Sequence, residues 1–245
     1  FERNSADSAG GGMLNLYSSP TLAVCTFADN SANLGAGMFN WTLSFPTLTN
    51  CTFSGNQAGQ EGGGMDNYDF SAPTLTNVTF SGNSASGGGG MVNRYGSSPT
   101  LTNCILWGNT ASSGPQIGND SSSSPSVTYS LMQGGYVAGT DIIDADPLFV
   151  RNPDPGDGDW TTPGDNDYGD LLLRAGSPAI DAGNNTAVPA GVSVDLAGNP
   201  RFIDHPQPDF TSGTTPIGTP PIVDLGAYEA GYVIYLPIFP INAVP

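Results

Sequence analysis

Residues 73–93 read PTLTNVTFSGNSASGGGGMVN. The same pattern returns along the first half of the chain, and a fixed period decides an architecture before any single residue does. Pro-Thr-Leu starts at Pro20, Pro46, Pro73 and Pro99, and Pro-Ser-Val at Pro125, in steps of 26, 27, 26 and 26 residues. Phe-x-x-Asn recurs as Phe1–Asn4, Phe27–Asn30, Phe53–Asn56 and Phe80–Asn83, then as Leu106–Asn109. Gly-Met recurs at Met13, Met38, Met65 and Met91, each followed two residues later by Asn (Asn15, Asn40, Asn67, Asn93).

This unit is too short for a propeller blade and lacks the apolar stripe of a helical repeat. Its apolar residues come in short bursts. Cys51 and Phe53 are two apart, which is strand alternation. Leu48 and Cys51 are three apart, so alternation breaks at Thr49-Asn50 and a tight corner is predicted there. Asn tolerates the left-handed backbone such a corner needs. Asn77 and Asn103 hold the same place, and Val24 departs from it. The Gly runs before each Met predict a second corner, and the Ser/Gly/Pro stretch before each Pro a third. Three short strands and three corners per coil describe a right-handed parallel β-helix, with successive coils about 4.8 Å apart. Leu, Cys/Val, Phe and Met columns would fill its interior, and the Asn of Phe-x-x-Asn would bond along the stack.

The sequence divides into repeats over residues 1–149, a loop-rich acidic cap over 150–231 lying on the last coil, and an apolar tail over 232–245. Residues 111–124 read as a polar loop. Pro125–Met132 reads as a decayed coil with Tyr129 at the corner, Ser130 in the Cys column and Met132 in the Phe column. In the cap, strands are predicted at Leu171–Leu173, Val192–Val194 and Ile222–Leu225, with a turn at Ala197–Pro200. Phe1-Glu2-Arg3-Asn4 already reads as mid-coil, so a processed or truncated chain is expected.

The 245 residues carry 34 Gly, 21 Pro and a net charge of −17, with no Lys. That acidity argues against nucleic acid or an anionic membrane as partner, and no stretch is long enough to span a bilayer. Cys25, Cys51 and Cys104 share one repeat position with Val78, which marks a small apolar core site. Free thiols are expected there, with a Cys25–Cys51 bridge as the alternative.

The repeat resembles the polymorphic outer-membrane-protein family of β-helix repeats, through Gly63-Gly64-Met65 and Phe80-Ser81-Gly82-Asn83. The C-terminal part is similar to the choice-of-anchor Q domain of bacterial surface proteins. It carries Asp146-Pro147-Leu148-Phe149, Gly176–Gly183 (GSPAIDAG), Asp195–Arg201 (DLAGNPR) and Val223–Glu229 (VDLGAYE). Together these resemblances imply an exported bacterial protein displayed at the cell surface, and they bring no catalytic motif.

Four sets of candidate residues follow. Trp41, Tyr68 and Arg94 occupy one repeat position near the Met strand, with Tyr17 and Tyr95 close by and Asp66 and Asp69 flanking Tyr68. This predicts an aromatic strip suited to stacking on sugar rings, with carboxylates bonding hydroxyls; the alternative is that the rings shield a Gly-rich edge. Asp154, Asp157, Asp159, Asp165, Asp167 and Asp170 could gather oxygen ligands for a structural Ca²⁺, or form a solvated acidic loop. No other cofactor is expected. Sequons stand at Asn40, Asn50, Asn77, Asn119 and Asn184, of which Asn119 and Asn184 read as the exposed ones. The uncharged tail holds Tyr232, Ile234, Tyr235, Leu236, Ile238 and Phe239. It reads as a strand on the protein's own cap or as a joint for head-to-tail strand addition, making a homo-oligomer or filament. A polysaccharide lyase or hydrolase would need a clustered base or paired carboxylates. Asp66, Asp69 and Arg94 are the only charged cluster on the repeat faces, and His205 has no triad partner. The leading expectation is an adhesive or structural surface protein, with glycan recognition as the alternative.

Overall fold

The computed structural model describes residues 1–157, 160, 162, 164–203 and 217–231. The chain is an all-β parallel solenoid, a β-helix of about five turns. One face is the stack Met13–Leu16, Met38–Trp41, Met65–Tyr68, Met91–Arg94 and Ile117–Asn119. A second, bent face stacks Thr47–Ser54 on Thr74–Ser81, flanked by the Thr21–Ala28 and Thr100–Trp107 strand pairs and by Ser126–Met132. A third, looser face is built from Ser31–Leu34, Gln57–Glu61 and single bridges in the other coils.

Register follows the repeat. Leu22, Leu48, Leu75, Leu101 and Val127 align, as do Phe27, Phe53, Phe80, Leu106 and Met132. The rings of Phe1, Phe27, Phe53 and Phe80 stack at 4.6 Å, the spacing that the coil rise imposes. Phe27, Phe53 and Phe80 are fully buried, and each such side chain contributes about 1.5–3 kcal/mol by leaving water. Gly-Met and Phe-x-x-Asn are two halves of one contact. A Cβ on Gly64 would stand 2.8 Å from the Phe80 ring of the next coil and 2.5 Å from the Gly90 carbonyl oxygen. Only glycine leaves room for the stacked Phe.

The corners turn as expected. Asn50, Asn77, Asn103, Val24 and Tyr129 all have φ between 45° and 56°. The Phe-x-x-Asn ladder is continuous: the side-chain amides of Asn30, Asn56 and Asn83 each donate to the next Asn Oδ1 at 2.8 Å. Gln116 accepts the last of these bonds, from Asn109. A second buried ladder, not anticipated from sequence, runs through Asn15, Asn40, Asn67, Asn93 and Asn119. Three sequons, at Asn40, Asn50 and Asn77, are buried in the coils, while Asn119 is exposed and Asn184, expected to be exposed, is half-buried against Asn103. Residues 117–119 are a strand rather than loop: Ile117 fills the Met column and Asn119 the ladder. All three cysteines are free thiols, and burial pushes Cys51 and Cys104 up to about 12.

The acidic segment after residue 149 is placed differently from expectation. It does not sit only on the last coil but runs back along the outside of the bent face. Tyr168 donates to Asp29 at 2.5 Å, Asn50 donates to the Val194 carbonyl at 2.7 Å, and Ala227 N–H donates to the Thr79 hydroxyl at 3.1 Å. Asn103 grips Asn184 twice, accepting at 2.8 Å and donating at 3.0 Å. Ile105 and Leu131 face outward into a second core with Phe149, Leu173, Ile180 and Leu225. The outer residues of the coils are apolar there because this segment covers them. Phe149–Arg151 and Asp170–Leu173 pair antiparallel. Val192–Val194 and Ile222–Leu225 are not strands; isolated backbone bonds, such as Leu225 N–H to the Ala179 carbonyl at 2.9 Å, hold them together with side-chain bonds.

Those bonds centre on Arg201, which is fully buried. It pairs with Glu229 at 3.0 Å and donates to the carbonyls of Asp224 and Gly226 at 2.8 and 2.7 Å. Asp224 accepts from the backbone N–H of Asp181 and Ala230, and Asp195 from those of Asn199 and Glu229. Burial, reinforced by the Asp224 charge, pushes Glu229 well above the usual carboxylate range, and burial raises Asp224 to about 6. Residues 176–183, 195–201 and 223–229 thus meet in this one network.

Candidate functional site: an aromatic cleft on the Met-strand face

Strand alternation points Met and Asn inward, so the residues between and after them point outward. This makes two outer columns: Leu14, Phe39, Asp66, Val92 and Gly118, and Leu16, Trp41, Tyr68 and Arg94. With the edge of the third face they enclose a cleft of about 440 Å³ lined by Leu14, Leu34, Phe39, Trp41, Tyr68 and Arg94, with Gln60 and Ser8 as its uncharged polar lining. Phe39 lies 6.1 Å from Trp41 and 6.4 Å from Tyr68, both tilted. The Arg94 guanidinium sits 5.0 Å from the Tyr68 ring centre, within cation–π range. Trp41 is 42% exposed. The walls thus offer ring faces and edges at successive coil heights, with few polar groups.

The structure brings together Trp41, Tyr68 and Arg94 of the predicted strip and separates the others. Tyr95 packs on Tyr68 at 4.7 Å but lies outside the cleft, its N–H bonded to Asp120 at 2.6 Å. That bond holds the Asp120 carboxyl down at about 2. Tyr17 stands exposed at the next corner, in register with Thr42, Asp69 and Tyr95; these four non-glycine residues have φ of 46–56°. Asp69 accepts from the Thr42 hydroxyl at 2.8 Å and does not line the cleft. Asp66 is a correction. Expected as a surface carboxylate for sugar hydroxyls, it is fully buried and bonded to Arg94 Nη2 at 2.6 Å. Outward on a pleat is not exposed when Arg94 folds over it. Phe39, Leu14 and Leu34 were missed by sequence reasoning. Phe39 carried a usable signal, two residues before Trp41 on the same face.

Among the described residues the acidic loop forms no common centre. Asp154 and Asp167 exchange backbone hydrogen bonds at 2.7 and 2.8 Å. Asp165 accepts from Asp157 N–H at 3.0 Å, and Arg151 pairs with the Asp167 carboxylate, holding it below its usual range. Asp170 lines a separate polar groove with Arg151 and Tyr168. Among the described residues no group of three or more acids, Cys or His is placed to hold a metal. Asp159, His205 and the tail residues Tyr232, Ile234, Tyr235, Leu236, Ile238 and Phe239 lie outside the described residues. Among the described residues no helix is long and apolar enough to cross a membrane. No protein-family model matches the chain, and a search of curated proteins finds no significant relative.

Proposed function

We propose that this chain is a non-enzymatic, surface-displayed adhesive module that binds glycan chains in the cleft of Phe39, Trp41, Tyr68 and Arg94. The observation that carries this reading is the cleft itself: Phe39 and Trp41 of one coil and Tyr68 of the next stand around about 440 Å³ of mostly apolar wall. Sugar rings present C–H faces to aromatic rings and hydroxyls to a polar rim, a combination such walls accept. Coils rise about 4.8 Å apart, close to the length of one sugar in an extended chain, so a polysaccharide can lie along the solenoid axis. The neutral pairing of Asp66 with Arg94 also favours binding over chemistry, because a carboxylate sealed under an arginine reaches no substrate proton. Export and display at a bacterial surface rest on the resemblances of the repeat and of the C-terminal motifs.

Trp41→Ala with Tyr68→Ala tests the reading on a glycan array and by calorimetry with the best array ligand. Two lost ring contacts of about 1 kcal/mol each weaken binding by about thirtyfold. A folded double variant that binds as well as the parent, or a parent that binds no glycan, overturns it.

A further inference from the structure

Asp66 and Arg94 are anomalies in their own columns. The residues in register with Asp66 are Leu14, Phe39, Val92 and Gly118, and those in register with Arg94 are Leu16, Trp41 and Tyr68. Neighbouring coils fold with apolar or aromatic residues at both places, so neither charge is needed to close a coil. A buried ion pair is commonly no more stabilising than apolar residues of similar size. The pair is also incompletely satisfied. Asp66 Oδ1 and Arg94 Nε are both buried without a hydrogen-bond partner among the described residues. Yet Arg94 lines the cleft, its side chain 21% exposed, while Asp66 lies wholly beneath it.

We propose that Asp66 sets the charge specificity of the cleft: paired with Arg94 it keeps the site neutral and selective for uncharged glycans, and loss of its charge frees Arg94 to bind the carboxylate of an acidic sugar. This rests on the glycan reading of the cleft. An uncompensated guanidinium, with five N–H donors in a planar fork, is a ready site for a carboxylate. Asp66 occupies that guanidinium from below. The groups facing Asp66 are Arg94 from strand Met91–Arg94 and Glu61 from strand Gln57–Glu61, with uncharged Phe39 and Val92 beside it in register. Burial pushes the Asp66 carboxyl up to about 7, against the pull of Arg94 and with a smaller push from Glu61. Its charge is therefore lost as pH falls through neutrality, and the cleft gains a positive charge in acid.

The experiment uses cellohexaose and its C6-oxidised glucuronate counterpart, which share a backbone and differ in carboxylates, titrated into the full chain in about 0.15 M salt to screen the protein's overall acidity. At pH 8 the parent is expected to favour cellohexaose. Asp66→Asn is expected to bind the oxidised chain about fivefold tighter than the parent does, the size of one partly exposed ion pair, with cellohexaose binding unchanged. The parent shifts the same way between pH 8 and pH 5.5, and Arg94→Gln abolishes that shift. If Asp66→Asn does not fold, as judged by circular dichroism, the pH comparison of the parent with Arg94→Gln decides. A folded Asp66→Asn with the parent's preference, or a pH shift that survives Arg94→Gln, overturns the proposal while leaving cellohexaose binding to support the glycan reading. A parent that binds neither sugar at either pH overturns both.

Discussion

In the coils, Asn56 donates to Asn83 and Asn83 to Asn109 through the same amide atoms at the same 2.8 Å. In the flanking segment, Arg201 meets Glu229, Asp224 and Gly226 through contacts that occur once. Both regions bury polar groups and pair them by different means. The solenoid repeats one neutral solution in each coil, so its stability is a sum over neighbouring interfaces. The flanking segment has little regular backbone pairing and depends on a single cation among buried carboxylates. Loss of one Asn should therefore be local, whereas loss of Arg201 should be felt by every strand of chain that meets there.

The largest expected effect tests that contrast. Arg201→Met keeps bulk and removes the cation, leaving Glu229, Asp224 and Asp195 buried against one another. Breaking a buried pair from one side costs about 3–5 kcal/mol. Hydrogen exchange should show fast amides at Asp181, Asn199 and Ala230 with unchanged protection in Thr47–Ser54 and Thr74–Ser81. The deficit should shrink in acid. The folded pKa of Asp224, about 6, lies above its ordinary 3.8. The folded state thus holds the proton more tightly, and stability is kept below about 3.8 and lost as pH rises through about 6. If the coils lose protection together with the flanking segment, the two regions are one cooperative unit and the contrast fails.

A smaller effect separates the two roles of the corner column. Asn103 turns the chain at φ 56° and also bonds Asn184 twice. Asn77 turns at φ 55° and donates to Asn50, with no bond to the flanking segment among the described residues. Glycine keeps the left-handed turn and deletes the amide. Asn103→Gly should cost about 2 kcal/mol in chemical denaturation, two hydrogen bonds' worth, and Asn77→Gly about half that. Equal losses would mean that corner geometry alone matters and that docking onto the column adds nothing.

This difference also decided what could be read from sequence. The coils were legible because the Leu, Cys, Phe and Met columns, the Asn ladder and the left-handed corner each recur several times, and a repeated signal outweighs local ambiguity. Ile117 escaped because the Gly-Met signal is absent from its coil, although its column tolerates any large apolar residue. Val192–Val194 and Ile222–Leu225 looked like strands because β-branched runs favour extended backbone. Instead Asp195, Asp224 and Arg201 hold them, and no local pattern announces contacts 23–43 residues apart. In the cleft, alternation rightly placed Trp41, Tyr68 and Arg94 together. It placed Asp66 outward as well, and only the three-dimensional position of Arg94 shows that outward there means buried.

The smallest expected effect asks whether the repeat can correct itself. Val24 holds the corner position that Asn occupies in three later coils, at φ 56° and half exposed. A β-branched residue in that region is a true outlier, because its branched Cβ crowds the backbone. Asn accepts the same φ at lower cost, so Val24→Asn should raise stability by about 1 kcal/mol. An extended amide ladder is not the expected source of the gain. Asn50, the neighbour that would donate to a new Asn, is already held by one of its two amide hydrogens, given to the Val194 carbonyl of the flanking segment at 2.7 Å. Val24→Gly isolates the backbone contribution, since glycine relieves the strain and offers no amide. If Asn and Gly stabilise alike in a denaturant titration, relief of strain is the whole effect. If Asn gains clearly more, Asn50 has bonded its new neighbour. Hydrogen exchange in the flanking segment beside Val194 then tells whether Asn50 gave its second amide hydrogen, leaving exchange unchanged, or turned away from Val194, raising it.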